Sequence, residues 1–84
     1  MDDTDIKILK AINTQSPNSF ISPVKINEGL KLDEVELGNR LMLLKKTGHV
    51  DLMTSEYVSS MTLPNFISKI MLTEHGRKAL KRKK

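Results

Sequence analysis

Residues Ile26 to Val50, INEGLKLDEVELGNRLMLLKKTGHV, carry the pattern on which the reading of this chain rests. Ile26 and Leu30 stand four residues apart, one helical turn, and so share a face. Leu32 sits in a break. Beyond it Leu37, Leu41 and Leu44 follow at steps of four and three, a second apolar stripe with charged and polar residues round the rest of the cylinder. Two amphipathic helices joined by a short turn are therefore predicted. Asp33 followed three residues later by Glu36 is a capping-box arrangement, in which each side chain can reach the other's backbone N–H, so the second helix starts at Asp33. Lys45 and Lys46 suit the negative end of its dipole, and Gly48 supplies the left-handed residue that closes such helices.

Working outward, Asp2 to Asn13 carries Ile6, Leu9 and Ile12 at three-residue steps with Ile8 beside them, and its acids cluster at the start where the helix dipole favours them. This predicts a first helix. Asn13 to Ser19 (NTQSPNS) is a loop, because Pro17 presets its own backbone and pushes Ser16 out of the helical region. Phe20 and Ile21 make a very short strand, and Ser22 before Pro23 is an N-cap with proline at the first helical position, starting a helix that runs to about Leu30. After Gly48 the period becomes strand-like, in His49 to Met53 (HVDLM) and again in Phe66 to Leu72 (FISKIML). The connector, Thr54 to Asn65 (TSEYVSSMTLPN), is longer than a tight hairpin needs, so either the strands extend through Tyr57, Val58, Met61 and Leu63 or its tip is mobile. Pro64 marks an edge or a bend. In the last segment Thr73 is the natural N-cap, Glu74 fits the first turn and Leu80 is the expected core contact.

Eighty-four residues make one domain with one modest core. Hydrophobic content of 38% with 29% charged residues is that of a globular protein, and the longest apolar run, Leu41 to Leu44, is far below the roughly 20 residues a bilayer requires. The acidic N-terminus has no apolar run behind it, and the absence of cysteine excludes a disulfide framework and a thiolate zinc site. A cytoplasmic protein is expected. The net charge of +4 is uneven, since six basic residues fall in the last eight positions.

The spacing Ile26, Leu30, Leu32, Leu37, Leu41, Leu44, Gly48 and Val50, together with LTEHGRKAL at Leu72 to Leu80, resembles the winged helix-turn-helix domain of small prokaryotic transcription regulators. The resemblance implies an α+β, mainly α fold: a three-helix core, a β-hairpin wing and a C-terminal helix, occupying 1–84 as a single domain with a basic tail at 81–84. It further implies double-stranded DNA as partner, with the helix at 33–48 in the major groove and the wing, 49–72, on the backbone, in a dimeric transcription regulator. Two positions depart from the pattern. Asn27 stands where family members usually carry a small residue, and Lys31 stands where glycine is common, so Lys31 is expected to be left-handed at roughly 1–2 kcal/mol.

With Leu37, Leu41 and Leu44 facing inward, Asn39 and Lys46 point outward, Val35, Glu36, Met42 and Leu43 lie beside them, and Arg40 is on the flank. Asn39 for adenine and Arg40 for guanine are the expected base readers. Lys45, Lys46, Lys69, Arg77, Lys78, Lys81, Arg82 and Lys83 are the expected phosphate contacts, with Lys84 completing the tail. A plain solvated face and a solvated tail are the alternatives. Asp33, Glu34 and Glu36 cap the helix and put negative charge where phosphate would lie. Val35, Met42 and Leu43, with Tyr57, Met61 and Leu63, support a second reading: a protein-interaction winged helix or a homodimerisation surface without DNA binding. His49 and His75 are the only histidines, with no partners at metal-ligand spacing and no nucleophile–base arrangement, so neither enzyme activity, cofactor, metal nor small-molecule ligand is expected.

Overall fold

The first helix, α1 (Asp3–Gln15), is capped by Asp2, whose Oδ1 accepts the Asp5 N–H at 2.9 Å, and it buries Ile6, Ile8, Leu9 and Ile12. It runs two residues past Asn13. The computed structural model describes residues 2–16, 18–57 and 59–82, with the backbone alone at Arg82. Pro17, Val58, Lys83 and Lys84, on which parts of the sequence reading fell, lie outside the described residues.

Ser22 caps α2 (Pro23–Leu30) as its Ser-Pro sequence dictates, accepting the Val24 N–H at 3.2 Å. The same hydroxyl donates to the Met61 carbonyl at 2.6 Å, pinning the distant connector to the start of α2. Lys31 closes the helix in the left-handed region, φ 57° and ψ 39°, as expected. Asn27 shows what holds it there: its Nδ2 donates to the Leu32 carbonyl and its Oδ1 accepts the Leu32 N–H, both at 2.8 Å. The carboxamide thus bridges the turn, which accounts for asparagine at a position where a small residue was anticipated. α3 (Glu34–Lys46) follows with Asp33 as N-cap, its carboxylate accepting the Glu36 N–H at 3.1 Å. Gly48, at φ 83°, closes the far end.

Strands β1 (Val50–Thr54) and β2 (Ile67–Leu72) pair antiparallel, Val50 with Leu72 and Leu52 with Ile70, with an irregularity between Met53 and Thr54. Ile21 adds an isolated rung on Ile70 through two backbone hydrogen bonds of 2.8 Å, the short strand expected at Phe20–Ile21. The strands do not extend through the connector. Instead Leu63 is fully buried in the core, and its N–H donates to the Ile67 carbonyl at 3.0 Å while Phe66 N–H donates to Leu63 at 2.9 Å. A chain bent back by this turn, with Phe66 at φ 68° and Pro64 lacking an N–H, cannot continue a ladder. Thr73 then starts α4 (Glu74–Arg82), accepting the Gly76 N–H at 3.0 Å and donating to the Gly48 carbonyl at 2.6 Å.

The core joins Ile8, Leu9 and Ile12 of α1, Ile26 of α2, Leu37, Leu41 and Leu44 of α3, Leu63, and Val50, Ile67, Ile70 and Leu72 of the hairpin, with Leu80 of α4 packed against it. Each such side chain contributes roughly 1.5–3 kcal/mol by leaving water. The result, among the described residues, is a small, mainly helical α+β fold of four helices and one antiparallel hairpin.

Candidate nucleic-acid interface

The sequence periodicity orients α3 as built: Leu37, Gly38, Leu41 and Leu44 are buried, while Asn39 and Lys46 are exposed on the opposite side. Val35, Met42 and Leu43 remain 53–61% exposed on that outward face. Beside it a groove of about 840 Å³ opens between α3 and the hairpin, lined by Asn39, Met42, Leu43, Lys45 and Lys46 from the helix, and by Leu52, Thr54, Asn65 and Ile67 from the hairpin and its connector. Most of this lining is apolar.

Gly38 and Asn65, which sequence reasoning did not single out, set the spacing of that groove. The Asn65 amide occupies the space that a Cβ at residue 38 would need, so the connector can approach α3 closely. Asn65 Nδ2 makes a long contact with Met42 Sδ at 3.8 Å, and Asn65 Oδ1 is buried without a hydrogen-bond partner among the described residues.

Arg40 is not a free base reader. Its Nη1 meets Asp2 Oδ2 at 3.0 Å and Asp5 Oδ1 at 3.1 Å, and its Nε meets Glu36 Oε1 at 3.3 Å. The guanidinium, expected from sequence to meet guanine, here clamps α3 to the start of α1 and draws the Glu36 carboxylate towards itself. The Asp5 backbone N–H, and then Arg40, hold the Asp2 carboxyl below the usual carboxylate range, while the carboxylates raise the Arg40 guanidinium above its ordinary value. Asp2 and Glu36 are half exposed or more, so the clamp is screened by salt. Arg40→Met is expected to lower the denaturation midpoint at low ionic strength and to do so much less in about 1 M salt, where the screening length is about 3 Å. Equal losses at both salt concentrations would show that charge attraction is not what holds the clamp.

The expected phosphate contacts are dispersed. Lys46 is exposed beside Asn39, and Lys45 pairs with Asp51 at 3.7 Å. Lys69 is exposed but pairs across the ladder with Met53, on the opposite hairpin face from Leu52 and Ile70. Arg77 Nη1 donates to the Leu72 carbonyl at 3.2 Å, and Lys78 pairs with Glu74 at 3.6 Å. Lys81 is exposed on α4, which packs chiefly on α1, while the Arg82 side chain and Lys83 lie outside the described residues.

His49 accepts or donates through Nδ1 at 2.6 Å to Thr47 Oγ1, and its ring lies 4.3 Å from that of His75. Burial, and then the neighbouring His75, push the His49 imidazole below its usual value. This pair sits where the end of α3 meets the start of α4. Among the described residues no group of three His, Cys, Asp or Glu is arranged to hold a metal, and no helix is long and apolar enough to cross a membrane. Compared with protein-family models, curated proteins and solved structures, the chain matches none.

Proposed function

We propose that this chain is a winged helix-turn-helix module that binds double-stranded DNA as a transcription regulator, with α3 as recognition helix and the β1–β2 hairpin as wing. One observation carries the reading: α3 presents an uncovered outward face bearing Asn39 and Lys46, beside a hairpin, while its only arginine is turned aside to neutralise carboxylates. The order of elements supports it, since two helices joined by a tight turn are followed by a hairpin and a capped last helix. The first-turn acids count against phosphate at that end of α3, so the phosphate contacts belong to its last turn, at Lys45 and Lys46.

Anisotropy of a labelled mixed-sequence duplex, titrated with the protein at several salt concentrations, tests the proposal. Affinity should fall steeply with salt, and Lys46→Ala should weaken all duplexes about equally while making the log–log slope shallower by about 0.9, the share of one phosphate. Removing Lys81 to Lys84 should do the same for each contact the tail makes. No binding at about 50 mM salt would overturn the proposal.

The apolar floor of the groove, and the exposed Met53, Tyr57, Met61 and Phe66, favour the second reading, a protein-interaction or homodimerisation module. Such an interface would show little salt dependence and would appear in sedimentation as self-association or as a stable complex.

A further inference from the structure

We infer that the outward face of α3 reads A·T base pairs, Asn39 pairing with adenine while Met42, Leu43 and Val35 pack against thymine methyl groups. This rests on the DNA-binding reading above and says which base pairs that reading requires. Asn39 is exposed in the middle of α3 and its carboxamide is engaged by no other described residue. A carboxamide offers a donor and an acceptor side by side, the complement of adenine N7 and N6–H₂ in the major groove. Three of its neighbours on the same face are aliphatic, Val35 one turn before, Met42 and Leu43 one turn after, exposed by 56%, 53% and 61%, alongside the exposed Glu36 and Lys46. The one apolar group that a base pair presents in the major groove is the thymine C5-methyl. Uncovered aliphatic side chains on a reading helix therefore have a chemical match in A·T pairs and none in G·C pairs.

The other candidate readers of G·C on or beside this face are engaged elsewhere. Guanine is recognised bidentately by arginine or lysine, but Arg40 lies about 100° round the helix from Asn39 and its guanidinium is committed to Asp2, Asp5 and Glu36. Cytosine N4 needs a carboxylate acceptor, but Glu36 is held by Arg40 and Glu34 is about 140° away from Asn39 by helical rotation. Lys46 remains, at the last residue of α3, where it is the phosphate contact already assigned. The axial distance from Asn39 to Met42 and Leu43, about 4.5–6 Å at the helical rise, is one to two base steps of about 3.4 Å. The site is thus an adenine with a thymine methyl one or two base pairs away.

The test uses short duplexes of equal length: a mixed A·T sequence, a G·C sequence, and the A·T sequence with every thymine replaced by uracil, which removes the methyls and leaves the minor groove unchanged. The A·T duplex should bind about 5- to 150-fold more tightly than the G·C duplex. Uracil should lose about fourfold for each methyl buried. Asn39→Ala should narrow the A·T to G·C ratio, and Leu43→Ser should shrink the thymine-over-uracil difference. Both positions are exposed, so both variants should fold. Equal binding of the thymine and uracil duplexes, or of A·T and G·C, overturns this inference and leaves DNA binding standing. Absence of binding to all three at low salt overturns the DNA reading itself.

Discussion

Leu41→Ala should destabilise the fold by about 2–5 kcal/mol, while Leu43→Ala, two residues further along the same helix, should change stability by less than about 0.5 kcal/mol. The two leucines are chemically identical and have the same backbone conformation, so the contrast isolates burial. Leu41 is 0% exposed among Leu37, Leu44 and the hairpin residues of the core, and truncating it leaves a void that close-packed neighbours fill only in part. Leu43 is 61% exposed and has little to lose. Urea denaturation of both variants, compared at equal slope, measures the difference. Similar losses would mean that α3 is rotated from the orientation described, and the assignment of Asn39 and Lys46 to the outward face would fall with it.

Two glycines provide the second large contrast. Gly76→Ala should cost about 1–3 kcal/mol, as overpacking typically does, because a Cβ there would run into the His49 backbone carbonyl and the Leu72 side chain. A backbone carbonyl fixed by the turn at Gly48 has nowhere to retreat. Gly29, in α2, has nothing within 4 Å of its Cβ position, so Gly29→Ala should stabilise by up to about 1 kcal/mol through helix propensity alone. Thermal melts of the two variants should therefore move in opposite directions. A neutral or stabilising Gly76→Ala would show that α4 does not lie against the end of α3.

What could be read from the sequence was local. Ser22, Asp33 and Thr73 all cap helices where their types and positions indicate, because a cap bonds to an N–H within three residues of itself, while Asp2, read as the first helical residue, is the cap of α1. Left-handed Lys31 followed from its place after Leu30, and the buried stripe of α3 from the steps between its leucines. What could not be read was non-local. Arg40 looked like a base reader because its partners, Asp2 and Asp5, are 38 and 35 residues away, and only the folded chain brings the start of α1 within reach of it. Leu63 was expected either in an extended strand or in a mobile tip, yet the turn that follows it sends its side chain into the core. Gly38 had no visible role until Asn65 was found to fill the space beside it. One signal for the Arg40 clamp was present in the sequence: acids concentrated at the start of α1 exceed what one cap and a helix dipole need.

Recognition of DNA by α3 is tested by an amide chemical-shift map of the ¹⁵N-labelled protein titrated with a mixed-sequence duplex at low salt. The largest changes should fall on Val35, Asn39, Met42, Leu43 and Lys46 of α3 and on the adjacent hairpin, with the buried Leu37 and Leu41 changing less. Changes confined to α4 and the basic tail, or no changes at all, would contradict it.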